Sequence, residues 1–332
     1  MTFLETQIAK IKGRNTRIVY PEGNEPTILK AAQEVVSIGF ATPILLGDVE
    51  EIKKTAEEIG VSLNGMELYC PVETDNIDAY AETFAAANEL PAIAAKIIMK
   101  KPLYYGAMMV KQGDADCIVA GLATETNEVV ATYKLIIGMA EGVTVPSCFT
   151  VLEIPGFEGS EGNLLALSDT AININPTSEE LADIAIASAR SVKEIMDWEP
   201  RVAMLSFSTC GSANHECASK VANAVQMVKE REPELKVDGE MQLDSAIRPD
   251  VAARKFKRPS DVAGIANVLV FPNLDAGNIG TKLLQCIGKA QSNGGILQGF
   301  AKPVSDVSRG ASVENIIRIS VMLTRAMQSK NK

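Results

Sequence analysis

The sequence predicts an α/β protein of two domains, and three observations carry that expectation. Its 332 residues exceed the usual span of one hydrophobic core. Short apolar runs alternate along the chain with longer amphipathic stretches, as strands and helices do in βαβ units. Apolar residues make up 46% of the chain and aromatic residues only 5%. That aliphatic content suits helices layered on a sheet better than a sandwich built on aromatic packing.

The elements follow in order. The opening MTFLETQIAKIKGRN alternates apolar and charged residues as a surface helix does, and lacks the unbroken apolar core of a signal peptide. Residues 17–20 form a short apolar run that stops at the turn signal Pro21-Glu22-Gly23. Residues 27–38 then read as a helix, with Ile28, Ala31, Ala32, Val35 and Val36 on one face. A strand over 42–46, ended by Gly47-Asp48, completes a parallel βαβ unit. The pattern recurs as a buried strand over 116–120, a helix over 126–138 and a strand over 147–152. The middle of the chain restarts it: a helix over 177–196 opens with the capping box Thr177-Ser178-Glu179-Glu180. A buried strand over 201–207, a helix over 218–230, strands over 234–237 and 268–272, and an amphipathic helix over 312–328 complete the series. No internal repeat or low-complexity linker marks a boundary.

Charge and cysteines limit the function classes. A net charge of −10 argues against a nucleic-acid or acidic-membrane partner, since either needs a basic face. An anionic small ligand stays open, because a few arginines and amides can bind phosphate within an acidic protein. The basic run Arg254, Lys255, Lys257 and Arg258 reads as a solvated surface, with an anion contact as the alternative. Six cysteines at 70, 117, 148, 210, 217 and 286 form no CxxC, which fits a reducing compartment. No segment approaches the ~20 apolar residues of a membrane span, so a cytoplasmic protein is expected. One histidine and dispersed acids offer no metal-ligand cluster.

Two loops are candidates for holding an anion. Ser206-Phe207-Ser208-Thr209-Cys210-Gly211-Ser212 follows a buried strand, where α/β proteins gather ligands, and offers hydroxyls and amides. An ordinary strand-to-helix turn is the other reading. In Ser305-Asp306-Val307-Ser308-Arg309-Gly310-Ala311-Ser312 an arginine stands beside a serine just ahead of a helix start. Guanidinium and a helix N-terminus both suit phosphate; an exposed arginine near a cap is the alternative.

Longer motifs carry a resemblance. Ala203 to Thr209, Asp238-Gly239-Glu240-Met241-Gln242-Leu243-Asp244-Ser245-Ala246, Ala266 to Leu274 with Gly277-Asn278-Ile279, and Leu297-Gln298-Gly299 with Lys302-Pro303 and Ser308-Arg309-Gly310 resemble phosphate acetyltransferase. Recognisable pieces run from Pro21-Glu22-Gly23 to the last helix. The resemblance implies two α/β domains with an interdomain cleft, as in the isocitrate and isopropylmalate dehydrogenases. Domain I would be discontinuous, 1–149 with 297–332, and domain II would span 150–296. It also implies a homodimer that passes an acyl group, usually acetyl, between CoA and inorganic phosphate with no bound cofactor. CoA or acetyl-CoA would be substrate, and the CoA thiolate would attack the acyl phosphate directly. On that likeness Ser308 and Arg309 bind phosphate and stabilise the transition state, with Gly310 beside them. Ser206, Ser208, Thr209, Gly211 and Ser212 match a loop lining the same cleft.

The chain departs from the family pattern at charged positions. The family carboxylate taken as the base that deprotonates the thiol falls on Asn315, which keeps the shape but accepts no proton at neutral pH. A second family arginine falls on Ala131, and a third near Asn88. A working acyltransferase, with slow or altered turnover, is therefore weighed against a non-catalytic paralogue that binds a CoA-like or acyl-phosphate ligand, or a protein partner. An acyl-cysteine route through Cys210, with His215 five residues on, is a further alternative, since a thiol near a helix N-terminus has a lowered pKa.

Overall fold

The computed structural model describes residues 2–329. The outermost residues of the expected first domain, 1 and 330–332, lie outside the described residues. The chain divides into two compact units, residues 1–141 with 300–332 and residues 142–299.

The first unit opens with α1 (Phe3–Ile11), held by a capping box between Thr2 and Glu5. There follow β1 (Thr16–Tyr20), α2 (Pro26–Ile38), β2 (Ala41–Leu46), α3 (Val49–Ile59) and β3 (Glu67–Tyr69). Proline in the first turn of α2 supplies a helical φ where no N–H is needed, and Gly39 ends the helix at φ 79°. Helices α4 (Ile77–Asn88), α5 (Ala92–Met99) and α6 (Pro102–Gln112) lead to β4 (Cys117–Ala120) and α7 (Thr126–Ile136).

The second unit begins with β5 (Ser147–Glu153), β6 (Leu164–Ser168) and α8 (Ser178–Ser191). Thr177 caps α8 through the predicted box with Glu180, and a π turn over Val192–Met196 continues it. Then come β7 (Arg201–Leu205), α9 (Glu216–Arg231), β8 (Lys236–Met241), α10 (Leu243–Ile247), α11 (Pro249–Lys255), β9 (Val268–Val270), α12 (Leu274–Cys286) and β10 (Gln291–Gln298). The chain returns to the first unit with β11 (Val304–Asp306) and α13 (Val313–Ser329).

In the first unit the strands run β3-β2-β1-β4-β11, all parallel, with Ile18 opposite both Pro43 and Cys117. Helix α13 packs on α2 and α1, and Tyr20 and Ser320 share a buried hydroxyl contact of 2.7 Å. In the second unit the order is β10-β5-β6-β9-β7-β8. Strands β6, β9, β7 and β8 are parallel, whereas β5 is antiparallel to both neighbours. This corrects the expectation that 116–120, 126–138 and 147–152 repeat the βαβ unit: β4 pairs with β1 and β11, and β5 with β10 and β6. Alternation of element types does not specify direction; pairing partners distant in sequence do. The expected strand over 234–237 starts later, because Leu235 N–H closes a turn onto the Glu232 carbonyl around Pro233.

Gln298, from the Leu297-Gln298-Gly299 motif, is a structural pin. Its buried amide donates toward the hydroxyls of Ser147, Ser168 and Ser188 at 2.7–3.2 Å and accepts from Ser191 at 2.8 Å. Two strands, a helix and the end of β10 are thereby joined by one satisfied polar group.

Candidate active site

The loop between β11 and α13 carries Ser308, Arg309 and Gly310, all exposed. The turn closes with Ala311 N–H to the Ser308 carbonyl and Gly310 N–H to Ser308 Oγ. Ser312 then caps α13 reciprocally with Asn315: Asn315 N–H donates to Ser312 Oγ at 3.2 Å, while Asn315 Oδ1 accepts from Ser312 N–H and Oγ at 3.1 and 3.0 Å. Asn315 therefore acts as the third residue of a capping box. Its oxygen is spent on the cap and its amide has no basicity. The N-terminus of α13, with its favourable dipole, begins at Val313, four residues after Arg309.

Asp306 at the end of β11 faces the β4–α7 loop. Its Oδ2 accepts from Thr126 Oγ1 at 2.7 Å, and among the described residues its buried Oδ1 finds no hydrogen-bond partner. Only glycine fits opposite: a Cβ on Gly121 would stand 2.3 Å from Asp306 Oδ1. Burial pushes the Asp306 carboxyl up to about 6; the Thr126 bond opposes this and the Glu22 charge adds to it.

Glu22, from the Pro21-Glu22-Gly23 turn, is buried, and its carboxylate accepts the backbone N–H groups of Gly121, Leu122, Ala123 and Thr124 at 2.8–3.3 Å. The amides of this strand-end loop, which would otherwise suit an external anion, are thus taken by the chain's own carboxylate. Beyond them, Glu125 Oε1 stands 3.4 Å from Arg309 Nη2, both side chains exposed. Ala131 is exposed on α7 and Asn88 ends α4, donating to the Phe84 carbonyl.

The second unit holds the Ser206 loop, and here too the amides are occupied. Ser208 Oγ donates to Glu240 Oε1 at 2.7 Å and accepts from Ala213 N–H, while Gly211 N–H donates to the same Glu240 oxygen at 2.8 Å. Thr209 N–H donates to Ser212 Oγ, Ser208 N–H to Ser206 Oγ, and Cys210 N–H to the Glu240 carbonyl. Thr209 Oγ1 accepts from Gln242 N–H. Ser208 and Thr209 are buried and hold the loop's shape; Gly211 and Ser212 are exposed and Ser206 half-buried. The reading of free amides in this loop is corrected: Glu240, from the Asp238-Gly239-Glu240 motif, fills the place of an anion.

The acyl-cysteine pair does not form. His215 is the N-cap of α9, with Nδ1 accepting Cys217 N–H at 3.2 Å and its ring edge-on to Phe207. Desolvation raises the Cys210 thiol despite the opposing Arg258 charge, contrary to the expected lowering. The basic run is partly spent internally. Arg258 grips Asp238 with two bonds of 2.8 and 2.5 Å, and Lys255 bonds Gln242 and Asp244. Burial raises the Asp238 carboxyl, but the bonds from Arg258, Ser260 and Gly239 N–H outweigh it and hold the group below its ordinary value.

Sequence reasoning singled out the exposed Ser308-Arg309 turn but missed the carboxylates that organise both loops. The signal was present as an acid beside glycine in Pro21-Glu22-Gly23 and in Asp238-Gly239-Glu240, each recognised only as a turn or a motif. Among the described residues no group of three or more His, Cys, Asp or Glu is placed to hold a metal, and no helix is long and apolar enough to cross a membrane.

Comparison with known proteins adds to this geometry. A family model described as "Phosphate acetyl/butaryl transferase" matches residues 2–324. A phosphate acetyltransferase of Thermoanaerobacterium thermosaccharolyticum is 42% identical over 334 aligned positions, covering 99% of this chain and 100% of its own. The crystal structure of a phosphotransacetylase from Streptococcus pyogenes superposes with a TM-score of 0.91 at 35% identity, covering 100% of both chains. A structure from Salmonella typhimurium, assigned as a 4-hydroxythreonine-4-phosphate dehydrogenase, matches with a TM-score of 0.56 at 12% identity over 94% of this chain and 99% of that one. This last likeness concerns the fold, and relates it to dehydrogenase-like α/β proteins.

Proposed function

The chain belongs to the phosphate acetyl/butaryl transferase family, and from that premise we propose that it exchanges an acyl group, acetyl first, between CoA and inorganic phosphate. The CoA thiolate attacks the carbonyl carbon of the acyl phosphate, the thioester C–S bond forms, and the C–O bond to phosphate breaks with phosphate as leaving group. The reverse direction uses the same groups. Arg309 offers a guanidinium to the phosphate and to the charge that builds up on its leaving oxygen, and Ser308 offers a hydroxyl beside it. The observation that carries this reading is that Ser308, Arg309 and Gly310 stand exposed ahead of α13, with the helix dipole behind them.

In the second unit we assign Ser206, Gly211 and Ser212 to substrate binding, and Ser208 and Thr209 to holding the loop. Asn315 is the weak point of the machinery. It caps α13 but takes no proton, so the thiol must lose its proton to solvent or another group. That costs part of the ~10²–10⁴ that general-base help contributes. The non-catalytic reading is not favoured, since relatives about 40% identical over nearly the whole chain are named for the transfer itself. We further assign the family's two-domain organisation to the two units, CoA thioester and phosphate as substrates with no bound cofactor, a homodimer, and a cytoplasmic setting.

The test follows phosphate- or arsenate-dependent loss of thioester absorbance with acetyl-, propionyl- and butyryl-CoA. Turnover is expected in the native protein, at least ~10²-fold lower in Arg309→Ala and raised in Asn315→Asp by up to ~10²-fold. Silence of the native protein and of Asn315→Asp on all three thioesters would sink the reading.

A further inference from the structure

Glu125 stands between two anchors of the β4–α7 loop. On one side the four amides of residues 121–124 are bound to the Glu22 carboxylate. On the other, Thr126 Oγ1 is bound to Asp306 Oδ2 at 2.7 Å, and α7 begins there. The backbone of Glu125 is thus fixed from both flanks, and its carboxylate faces Arg309 at 3.4 Å. Glu125 makes no side-chain capping bond to α7, although it is the N-cap residue. Serine, threonine, aspartate or asparagine would cap better there. What this glutamate does contribute is a negative charge beside the exposed guanidinium of the phosphate-binding turn.

We propose that Glu125 sets the affinity of Arg309 for phosphate: it is a built-in anion that occupies the guanidinium until substrate phosphate displaces it. The proposal rests on the reading of Arg309 as the phosphate ligand. A guanidinium presents five N–H donors and can hold two oxyanions at once. The occupied edge must still be surrendered or shared, and a phosphate dianion arriving there meets a carboxylate of like charge. Both partners are exposed, so the pair is screened and its effect modest, about two- to five-fold in affinity. The consequence is a higher working concentration of phosphate. It falls on phosphate and not on the thioester.

The experiment measures phosphate KM and thioester KM by thioester cleavage, and inorganic phosphate Kd by calorimetry on the intact protein, for the native chain, Glu125→Gln, Arg309→Ala and the double variant. Glu128→Gln, which removes the same charge from an exposed position in the first turn of α7, serves as control. The expected result is a two- to five-fold drop in phosphate KM and Kd for Glu125→Gln, no such drop for Glu128→Gln, and an unchanged thioester KM. In the Arg309→Ala background Glu125→Gln should have no effect. An unchanged Kd in Glu125→Gln, or an equal gain with Arg309 absent, overturns the inference while leaving Arg309 as the phosphate ligand. Phosphate binding that survives Arg309→Ala intact overturns both, and is recognised because the native Kd itself does not depend on Arg309.

Discussion

Asp306 carries its charge at a cost. Its Oδ1 is buried without a partner, Glu22 lies close, Tyr133 is a fully buried neighbour, and the single bond from Thr126 does not compensate. A carboxyl whose folded pKa is raised from 3.8 to about 6 contributes stability that is fully present below pH ~4 and is lost as pH rises through ~6. Asp306→Asn removes the penalty while keeping an acceptor for Thr126. It should be more stable than the native chain at pH 8, by up to about 3 kcal/mol. It should also lose the native decline between pH 4 and 6, read from urea midpoints across that range. A variant less stable than native at pH 8 would show that the charge is needed there. At this scale the sequence was legible in position, as with Arg309 beside Ser308 in a turn ahead of a helix. It was silent on Asp306, whose altered proton affinity comes from what surrounds it.

At the scale of elements, three strand-end loops are organised by a carboxylate taken from elsewhere or from their own first residue. Glu22 holds residues 121–124 after β4, and Glu240 holds Ser208 and Gly211 after β7. Asp169 after β6 accepts the N–H groups of Cys148, Ala171, Ile172 and Asn173. Each meets donors that would otherwise be costly to bury, and each lets a glycine-bearing or irregular loop keep one shape. Glu22→Gln should replace a charge-assisted acceptor with an amide whose own NH₂ meets the same N–H donors. A loss of about 2–4 kcal/mol is expected in urea unfolding, together with faster hydrogen exchange at residues 121–124. Unchanged exchange there would mean the loop is held by other contacts. Helices α3 to α6 and α10 to α12 went unread, but α2, α7, α8, α9 and α13 were read from the sequence to within a few residues, because α2, α8 and α9 combine periodic apolar positions with local start and stop signals. Loop conformation was not, since the partner that fixes each loop lies up to 102 positions away.

Across the whole molecule, a stripe of exposed aliphatic side chains remains in the second unit. Ile279, Leu283 and Ile287 follow one face of α12 and its end at 57%, 52% and 75% exposure, with Ile174 at 78%. Ile174 adjoins the helix start, its carbonyl accepting Leu274 N–H. Side chains spaced four apart on a helix share a face, and such a face open to water supports the proposed homodimer. Light scattering should give twice the chain mass of 35.5 kDa for the native protein, and half of that value for Leu283→Asp/Ile287→Asp. A native monomer at micromolar concentration would remove the dimer from the proposal.

Composition, periodicity and the long motifs by themselves determined the α/β class, the recurring alternation of strands with several of the helices, the family, and the Ser308-Arg309 turn ahead of the last helix. Each of these rests on residues close in sequence, whose spacing and chemistry act locally. Tertiary structure alone decided that β5 runs against its neighbours, and that Gln298 pins Ser147, Ser168 and Ser188. It also decided that Glu240 fills the Ser206 loop taken for an anion cradle, that Glu22 holds the amides of residues 121–124, and that Glu125 meets Arg309 across 184 positions. Those outcomes depend on which distant groups folding brings within hydrogen-bonding distance. A buried donor will take a carboxylate from the chain when one reaches it, and no local pattern records that the place is filled.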